Sequence, residues 1–216
     1  MKRSVAGSLL AAALFAVSAT AQTWDIGETP NTVTAVLSGG TLTISGAGAM
    51  KDYEGSFGKY DIPWDSRRSS ITAVVIGEGV TRIGIYAFED CSRLTSVNIS
   101  NSVKYIGSSA FSSCTALKSI VIANGVDTIG DNAFAYCSGL TSVTFGESVR
   151  YIAYNAFARC TSLASIVIPN GVTNIGTHAF EGCPFTSFAI PPSVENISGS
   201  AFYKCAKLIS IRGCAG

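Results

Sequence analysis

The sequence has little charge and almost no histidine. Charged residues make up 13% of the 216 residues, and His178 is the only histidine. If the first 21 residues are removed, Lys2 and Arg3 are lost, and the remaining chain has 13 basic and 14 acidic residues. Such a composition offers no basic stripe for nucleic acid or for an anionic membrane surface. We therefore expect neither of these as a partner.

Long hydrophobic runs are also scarce, and the one apolar run lies at the N-terminus. Met1-Lys2-Arg3 precedes an apolar stretch at 9–17, and Ala19-Thr20-Ala21 follows before Gln22. This order is typical of a secretory signal peptide with an A-x-A cleavage site. No later segment approaches the roughly 20 apolar residues that a membrane helix requires. We predict a signal peptide at 1–21, cleavage near Ala21, and no membrane span in the exported protein.

What the chain has in plenty is a repeat. The pair Ala-Phe returns every 23 residues and once after 22, and Cys stands three residues after each Phe. Most units also contain L-x-x-[VI]-x-I, a turn, and then V-x-x-I. The pairs begin at Ala87, Ala110, Ala133, Ala156, Ala179 and Ala201, and the cysteines are Cys91, Cys114, Cys137, Cys160, Cys183 and Cys205.

These apolar positions predict a stack of coils. The alternation in L-x-x-V-x-I is typical of a short, half-buried strand. A single coil cannot bury its own apolar face, but copies stacked at the strand spacing of about 4.8 Å form a continuous core. The pattern therefore predicts a β-rich repeat solenoid.

Units such as LKSIVIANGVDTIGDNAFAYCSG, residues 117–139, resemble the BspA-like leucine-rich repeats of bacterial surface proteins. The resemblance covers residues 71–216 as six repeats plus a partial seventh, and implies a right-handed leucine-rich-repeat coil with one parallel sheet. The segment WDIGETPNTVTAVLSGGTLTISGAGAMKDY, with IPWDSRRSSI after it, is similar to the small N-terminal β cap of such proteins, placed at 22–70. No Asn follows the strand at the usual position, so we expect no asparagine ladder.

The cap and the C-terminal end raise separate expectations. Residues 32–37 and 41–45 alternate around Ser38-Gly39-Gly40, which predicts a hairpin. Aromatic and apolar side chains could cover the end of the core or, alternatively, bind a sugar: Trp24, Met50, Tyr53, Phe57 and Trp64. Glu54, Asp61 and Asp65 could imitate a glycosidase pair, although solvated carboxylates are the commoner reading. The last coil has no matching cover, so self-association through its C-terminal edge is a further hypothesis.

The residues that could carry chemistry fall on repeat columns. Six cysteines in one column have parallel side-chain directions, which predicts buried free thiols in place of disulfides or a metal site. Cys214 lies outside the column and is the thiol we expect to be exposed. His178 shares its column with residues such as Ser109 and Asn155, so we expect a solvent-facing position and no catalytic role. We predict no enzyme activity and no cofactor.

Two surfaces are candidates for binding. The outward strand positions form a small, nearly uncharged face: Ser96, Asn98, Ser119, Val121, Ser142, Thr144, Ser165 and Val167. A secondary surface after the turn carries Arg82, Tyr105, Arg150 and Tyr151, residue types that are enriched at interfaces.

The resemblance implies a secreted or cell-surface bacterial protein, with the periplasm as another location, that mediates adhesion. The leading hypothesis is a non-catalytic module that binds a host matrix or other cell-surface protein, or a glycan. A rigid spacer or a fragment of a larger surface protein is the alternative. Carbohydrate binding or hydrolysis by the cap is a distant third.

Overall fold

The computed structural model describes residues 21–56 and 59–213. The predicted signal peptide up to residue 20, together with Phe57 and Cys214, lies outside the described residues. Within them, no helix is long and apolar enough to cross a membrane.

The N-terminal part consists of short strands and one 3-10 helix. The strands are β1 (Gln22–Asp25), β2 (Val33–Ser38), β3 (Thr41–Gly46), β4 (Gly48–Ala49), β5 (Gly55–Ser56) and β6 (Lys59–Tyr60), and the helix is Asp65–Ser70. β2 and β3 pair in antiparallel register as a hairpin at the predicted position. Gly39 and Gly40 form its two-residue turn with φ of 56° and 82°, which suits a turn that needs left-handed backbone at both positions.

Most repeats contribute one strand to the front of the solenoid and one to the back. The front strands are β7 (Ala73–Ile76), β9 (Ser96–Ile99), β11 (Ser119–Val121), β13 (Ser142–Thr144), β16 (Ser187–Ile190) and β18 (Ser210–Gly213). The back strands are β8 (Val80–Ile83), β10 (Tyr105–Ile106), β12 (Thr128–Ile129), β14 (Tyr151–Ile152), β15 (Asn174–Ile175) and β17 (Asn196–Ile197).

The fold class predicted from the repeat is confirmed: the chain is a parallel-strand solenoid with almost no helix among its described residues. The V-x-x-I segments add a second sheet to the single one expected. This back sheet is continuous over seven strands, from β4 to β17. On the front side, β7 and β9 continue the five-stranded sheet that begins in the cap, and β11–β13 and β16–β18 form separate pairs. The back sheet is therefore the uninterrupted hydrogen-bonded wall of the solenoid.

The cap is built as an additional coil. β3 pairs in parallel with β7, and β4 pairs in parallel with β8. Trp64 is fully buried, stacks on Phe88 at a ring-centroid distance of 5.9 Å, and donates its Nε1–H to the carbonyl oxygen of Ala87 at 2.9 Å. The cap thus covers the core by continuing its backbone pairing and its aromatic column.

The aromatic column runs through the whole solenoid. Trp64, Phe88, Phe111, Phe134, Phe157, Phe180 and Phe202 stack in sequence. Neighbouring ring centroids are 5.1 to 5.9 Å apart, and the planes are within 23° of parallel. These centroid distances lie within the range of roughly 4.5–7 Å over which aromatic pairs attract each other. The stack fixes the same side-chain position in every coil.

The six column cysteines are buried and free, as the parallel side-chain directions predicted. From Cys114 onward, each thiol donates to the carbonyl oxygen of the Phe in the preceding coil, with Sγ to O distances of 3.1 to 3.3 Å. Burial raises the pKa of Cys91, Cys137 and Cys183 to about 12 and raises the pKa of the other three as well. The thiols are therefore protonated core groups.

The segment between back and front strands, around Ala-Phe-x-x-Cys, forms a third side that we call the loop side. Two residues in most coils have left-handed backbone there. Those before Ala are Tyr86, Ser109, Asn132, Asn155 and His178, with φ of 54° to 60°. Those before Cys are Asp90, Ser113, Tyr136, Arg159, Gly182 and Lys204, with φ of 56° to 69°. The coil geometry imposes this conformation, because residues of very different types adopt it.

We expect Phe134→Ala to lower the free energy of unfolding by about 3–5 kcal/mol, since it leaves a cavity between two stacked rings. Urea unfolding followed by circular dichroism measures this change. Phe134→Leu keeps most of the volume and should lose less. A loss below about 1 kcal/mol for the alanine variant would mean that the stack is not a main part of the core.

Stability should fall at alkaline pH. Because the thiol pKa values are raised in the folded state, the stabilisation is complete below about pH 8.5 and is lost as the pH rises towards about 12. Thermal unfolding between pH 8 and 11 should show this decline, and it should be shallower in the variant Cys137→Ala/Cys183→Ala. Equal declines in the two proteins would contradict the assignment.

Alkylation provides the control for that experiment. Iodoacetamide at pH 8 should leave the six column thiols unmodified in the native protein and modify all six after denaturation. Fewer than about five modified thiols in the denatured sample would indicate disulfides and overturn the description of the column.

Candidate binding surfaces

The front face is the surface of the front strands that points away from the core. All eight side chains predicted for it are exposed. Val121 and Val167 are 60% and 83% exposed, which is unusual for large hydrophobic residues. The face carries hydroxyl, amide and methyl groups and no charge at these positions. It can dock a neutral surface through van der Waals contacts and hydrogen bonds, but it supplies no acid, base or nucleophile pair.

The front face is interrupted in the coil that carries Ser165 and Val167. Residues 163–169 include no strand, so β13 and β16 have no hydrogen-bonded strand between them. Backbone groups in this coil are therefore outside a strand ladder while Val167 projects into solvent. The alternation of the sequence predicted a strand here, and the structure has none.

The secondary surface divides into two parts with different surroundings. Arg82 is held by two acids of the cap, with its guanidinium nitrogens 2.6 Å from Glu28 Oε1 and 2.6 Å from Asp52 Oδ2. Burial opposes the charged form of Arg82, but hydrogen bonds and charges from Asp52 and Glu28 prevail and raise its pKa. Its guanidinium also lies 5.5 Å from the ring centre of Tyr105. This arginine ties the cap to the repeats.

The other part of the secondary surface lies two back strands further along. Arg150 donates from Nη1 to the carbonyl oxygen of Glu147 at 2.9 Å, and Tyr151 is exposed. Arg150 also borders a shallow cavity of about 460 Å³ that includes Asn170 and Gly171. A side chain at position 171 would overlap the guanidinium group. The structure thus places Arg150 and Tyr151 apart from the Arg82 pair.

Among the cap side chains that the structure describes, no aromatic platform is exposed. Met50, Tyr53 and Trp64 are buried, and Trp24 is half-buried with its ring 5.8 Å from that of Trp64. The carboxylates of the cap are engaged in local contacts: Asp61 accepts the backbone N–H of Glu54, and Asp65 pairs with Arg68. These contacts favour the covering role of the cap over its sugar-binding alternative.

His178 is not solvent-facing, and that expectation was wrong. The residues of its column have left-handed backbone. Ser109 in this column is buried, and His178 is half-buried. The ring lies edge-on between Tyr154 and Tyr203, with centroid distances of 6.0 and 5.5 Å. Among the described residues, no group of three or more His, Cys, Asp or Glu side chains could hold a metal ion.

A short asparagine ladder follows the front strands, although none was expected. Asn101 Oδ1 accepts the backbone N–H of Asn124 at 3.1 Å, and Asn124 Oδ1 accepts that of Glu147 at 3.3 Å. Both asparagines stand in the turn two residues after a front-side isoleucine, where an exposed backbone N–H of the next coil needs an acceptor. The Gly, Asn, Pro or Ser composition of the turn was the available signal for this ladder.

Comparison with known proteins identifies the repeat. The sequence model described as BspA type Leucine rich repeat region matches in six copies, over residues 66–184 and 128–213. No curated protein matches the chain.

Two of the solved structures that resemble this chain are leucine-rich repeat proteins of known source. A leucine-rich repeat protein from Eubacterium ventriosum ATCC 27560 is 28% identical over 90% of this chain and 44% of its own, with a TM-score of 0.57. A leucine-rich repeat protein of T. pallidum is 23% identical over 79% of this chain and 73% of its own, with a TM-score of 0.54, and supports the fold alone. The chain spans less than half the length of the E. ventriosum protein. Because the repeat model matches well over half of the residues, the chain belongs to the BspA-type leucine-rich repeat family.

Proposed function

We propose that this protein is an exported, non-catalytic module that binds another protein, such as a matrix or cell-surface protein, through its front face. The observation that carries the proposal is the exposure of Val121 and Val167 on an otherwise neutral face. Burying these methyl groups against a partner removes apolar surface from water, which favours association. Family membership supports the same conclusion, since repeat solenoids commonly bind through an extended exposed sheet.

One observation favours a rigid spacer as the second candidate. The ring stack and the back sheet continue without a break through the coils, so the solenoid resists bending along both. A spacer needs this stiffness and no ligand. The two functions differ in whether the front face has an occupant.

The front face can be tested by charging its apolar positions. We expect the wild-type protein to bind at least one of immobilised collagen, laminin or fibronectin, and Val121→Lys/Val167→Lys to weaken that binding by about tenfold or more. The affinity should fall because the interface forms around valine, so a lysine buried there would have no acid to pair with its charge. Surface plasmon resonance measures both affinities.

The matched control places two lysines elsewhere. Thr81→Lys/Ser92→Lys changes the charge equally at exposed positions outside the front face and should bind like wild type. Equal affinity of the front-face variant and wild type, or no binding to any of the three proteins, would favour the spacer. Light scattering is needed alongside, because Ile209 and Ile211 are exposed near β18 and self-association there would imitate binding.

Deleting residues 22–70 is not a usable control. That deletion removes β3 and Trp64, which cover the first repeat, and would expose the core around Phe88. Surface substitutions preserve the core and are therefore the better test.

Export can be tested by the N-terminus of the processed protein. Cleavage after Ala21 leaves β1 complete, because β1 begins at Gln22. We expect intact-mass analysis of the protein from a secreting bacterial host to give a chain that starts at Gln22, and Ala21→Arg to retain the leader because signal cleavage requires a small residue there. Recovery of wild-type protein that begins at Met1 would count against export by this route.

A further inference from the structure

The loop side of the later coils carries a cluster of side chains that the repeat does not require. His178 lies between Tyr154 and Tyr203, and all three belong to successive coils. Lys204 Nζ lies 4.9 Å from the ring centre of Tyr203. Tyr136, also exposed, stands one coil before Arg159 in the same column. We call this set, with Glu181, the tyrosine cluster.

Glu181 organises the charges of the tyrosine cluster. Its Oε1 is 2.9 Å from Arg159 Nη2 and 4.0 Å from Lys204 Nζ. Its Oε2 is 3.0 Å from Nδ1 of His178, an ion-pair distance without the alignment of a hydrogen bond. The carboxylate is therefore shared among groups on three coils and holds them in place.

The accessible charge of the cluster is positive. The side chains of Arg159 and Lys204 are 42% and 52% exposed, whereas that of Glu181 is only 16% exposed. Asp131 is an exposed acid beside Tyr154, and its Oδ1 accepts the backbone N–H of that residue. An approaching partner thus meets two cations and exposed tyrosine rings, with Glu181 largely covered and Asp131 on the coil before Tyr154.

Backbone conformation presents several of these side chains at an energetic cost. Tyr136, Arg159 and Lys204 occupy a left-handed column in which Gly182 shows that glycine is accepted. A left-handed conformation is less favourable for a residue with a Cβ than for glycine. The equivalent residues of the first two coils are Asp90 and Ser113, which present neither an aromatic ring nor a positive charge. The cluster is therefore a property of the later coils and not of the repeat.

We propose that the tyrosine cluster is a second interaction surface, distinct from the front face, and that it binds an acidic protein segment. Arg159 and Lys204 provide charge complementarity to carboxylates, and Tyr136, Tyr154 and Tyr203 provide contact area with little loss of side-chain freedom. Apart from Tyr136, these side chains are held in position before binding by contacts within the cluster, which reduces the entropy lost on association. This inference does not depend on what the front face binds.

A protein segment fits the surface better than an acidic glycan does. Tyr and Arg are the residues that dominate protein interfaces energetically. An extended segment can also follow the column from Tyr136 towards Lys204, three coils away, and meet a ring or a cation in most coils.

Peptide display tests the proposal without a known ligand. A random 12-residue phage-displayed library is selected on the wild-type protein at low salt, after depletion on the variant Arg159→Gln/Lys204→Gln. We expect the selected peptides to be enriched in Asp and Glu, and the best of them, made synthetically, to bind the double variant about fivefold or more weakly in fluorescence anisotropy. Their affinity for wild type should fall as the salt concentration rises.

Matched variants separate the cluster from general charge. Arg93→Gln/Lys118→Gln removes the same charges at exposed positions in earlier coils and should leave peptide affinity within about twofold of wild type. Tyr154→Ala/Tyr203→Ala should weaken binding with little change in salt dependence. Thermal unfolding of each variant verifies that it is folded.

Three results would overturn the proposal. The selected peptides could lack enrichment in Asp and Glu, or the two charge-removing variants could bind them with equal affinity. Alternatively, hyaluronan could displace the peptides at a concentration of its binding units that is lower than the concentration at which the peptides themselves bind. The last result would assign the surface to acidic glycans. Loss of peptide binding in the Arg159→Gln/Lys204→Gln variant, with front-face binding retained, would support it.

Discussion

A single coil of this solenoid has no interior of its own. The inward side chains of one coil, such as Ile129 and Phe134, are shielded from water because the next coil packs against them in fixed register. That register also decides the polar contacts. Thiols, asparagine oxygens and backbone groups form hydrogen bonds with partners one coil away. A geometry that allows such a hydrogen bond in one repeat therefore allows the same bond in the next. Packing and hydrogen bonding thus depend on one constraint, the alignment of successive coils.

The repeat made much of this arrangement predictable. Period alone placed Phe134 and Cys137 in inward columns, and strand alternation placed Ser119 and Val121 outside. The period did not predict positions where the coil geometry recurs but the residue type does not. Trp64 precedes Phe88 by 24 residues and is not a phenylalanine, so the repeat pattern did not predict that the cap forms a coil. The contacts within the tyrosine cluster were not predicted for a different reason. Left-handed backbone at Arg159 and His178 brings together side chains that strand or helix periodicity would keep apart.

The back sheet, the front face and the loop side of the solenoid differ in the side chains that they expose. The back sheet runs unbroken and contributes stiffness, while Arg82 joins it to the cap through Glu28 and Asp52. The front face is neutral and partly apolar. The loop side of the later coils concentrates rings and positive charge around Glu181. Nothing in this division requires bond-making chemistry, and the protonated, buried thiols offer no nucleophile at neutral pH.

The coil that is one residue short shows how such a protein can change its length. The missing residue falls between Cys183 and Phe185, and the phenyl ring of Phe185 fills the column that leucine occupies in most other coils, fully buried against Phe180. Beyond that corner the front strands pair again at a separation of 23 residues, Ser187 with Ser210. A change of length is therefore absorbed locally and does not travel along the chain. Recombination between repeats can then add, remove or exchange whole coils, each bringing its own surface residues, without redesign of the coils on either side.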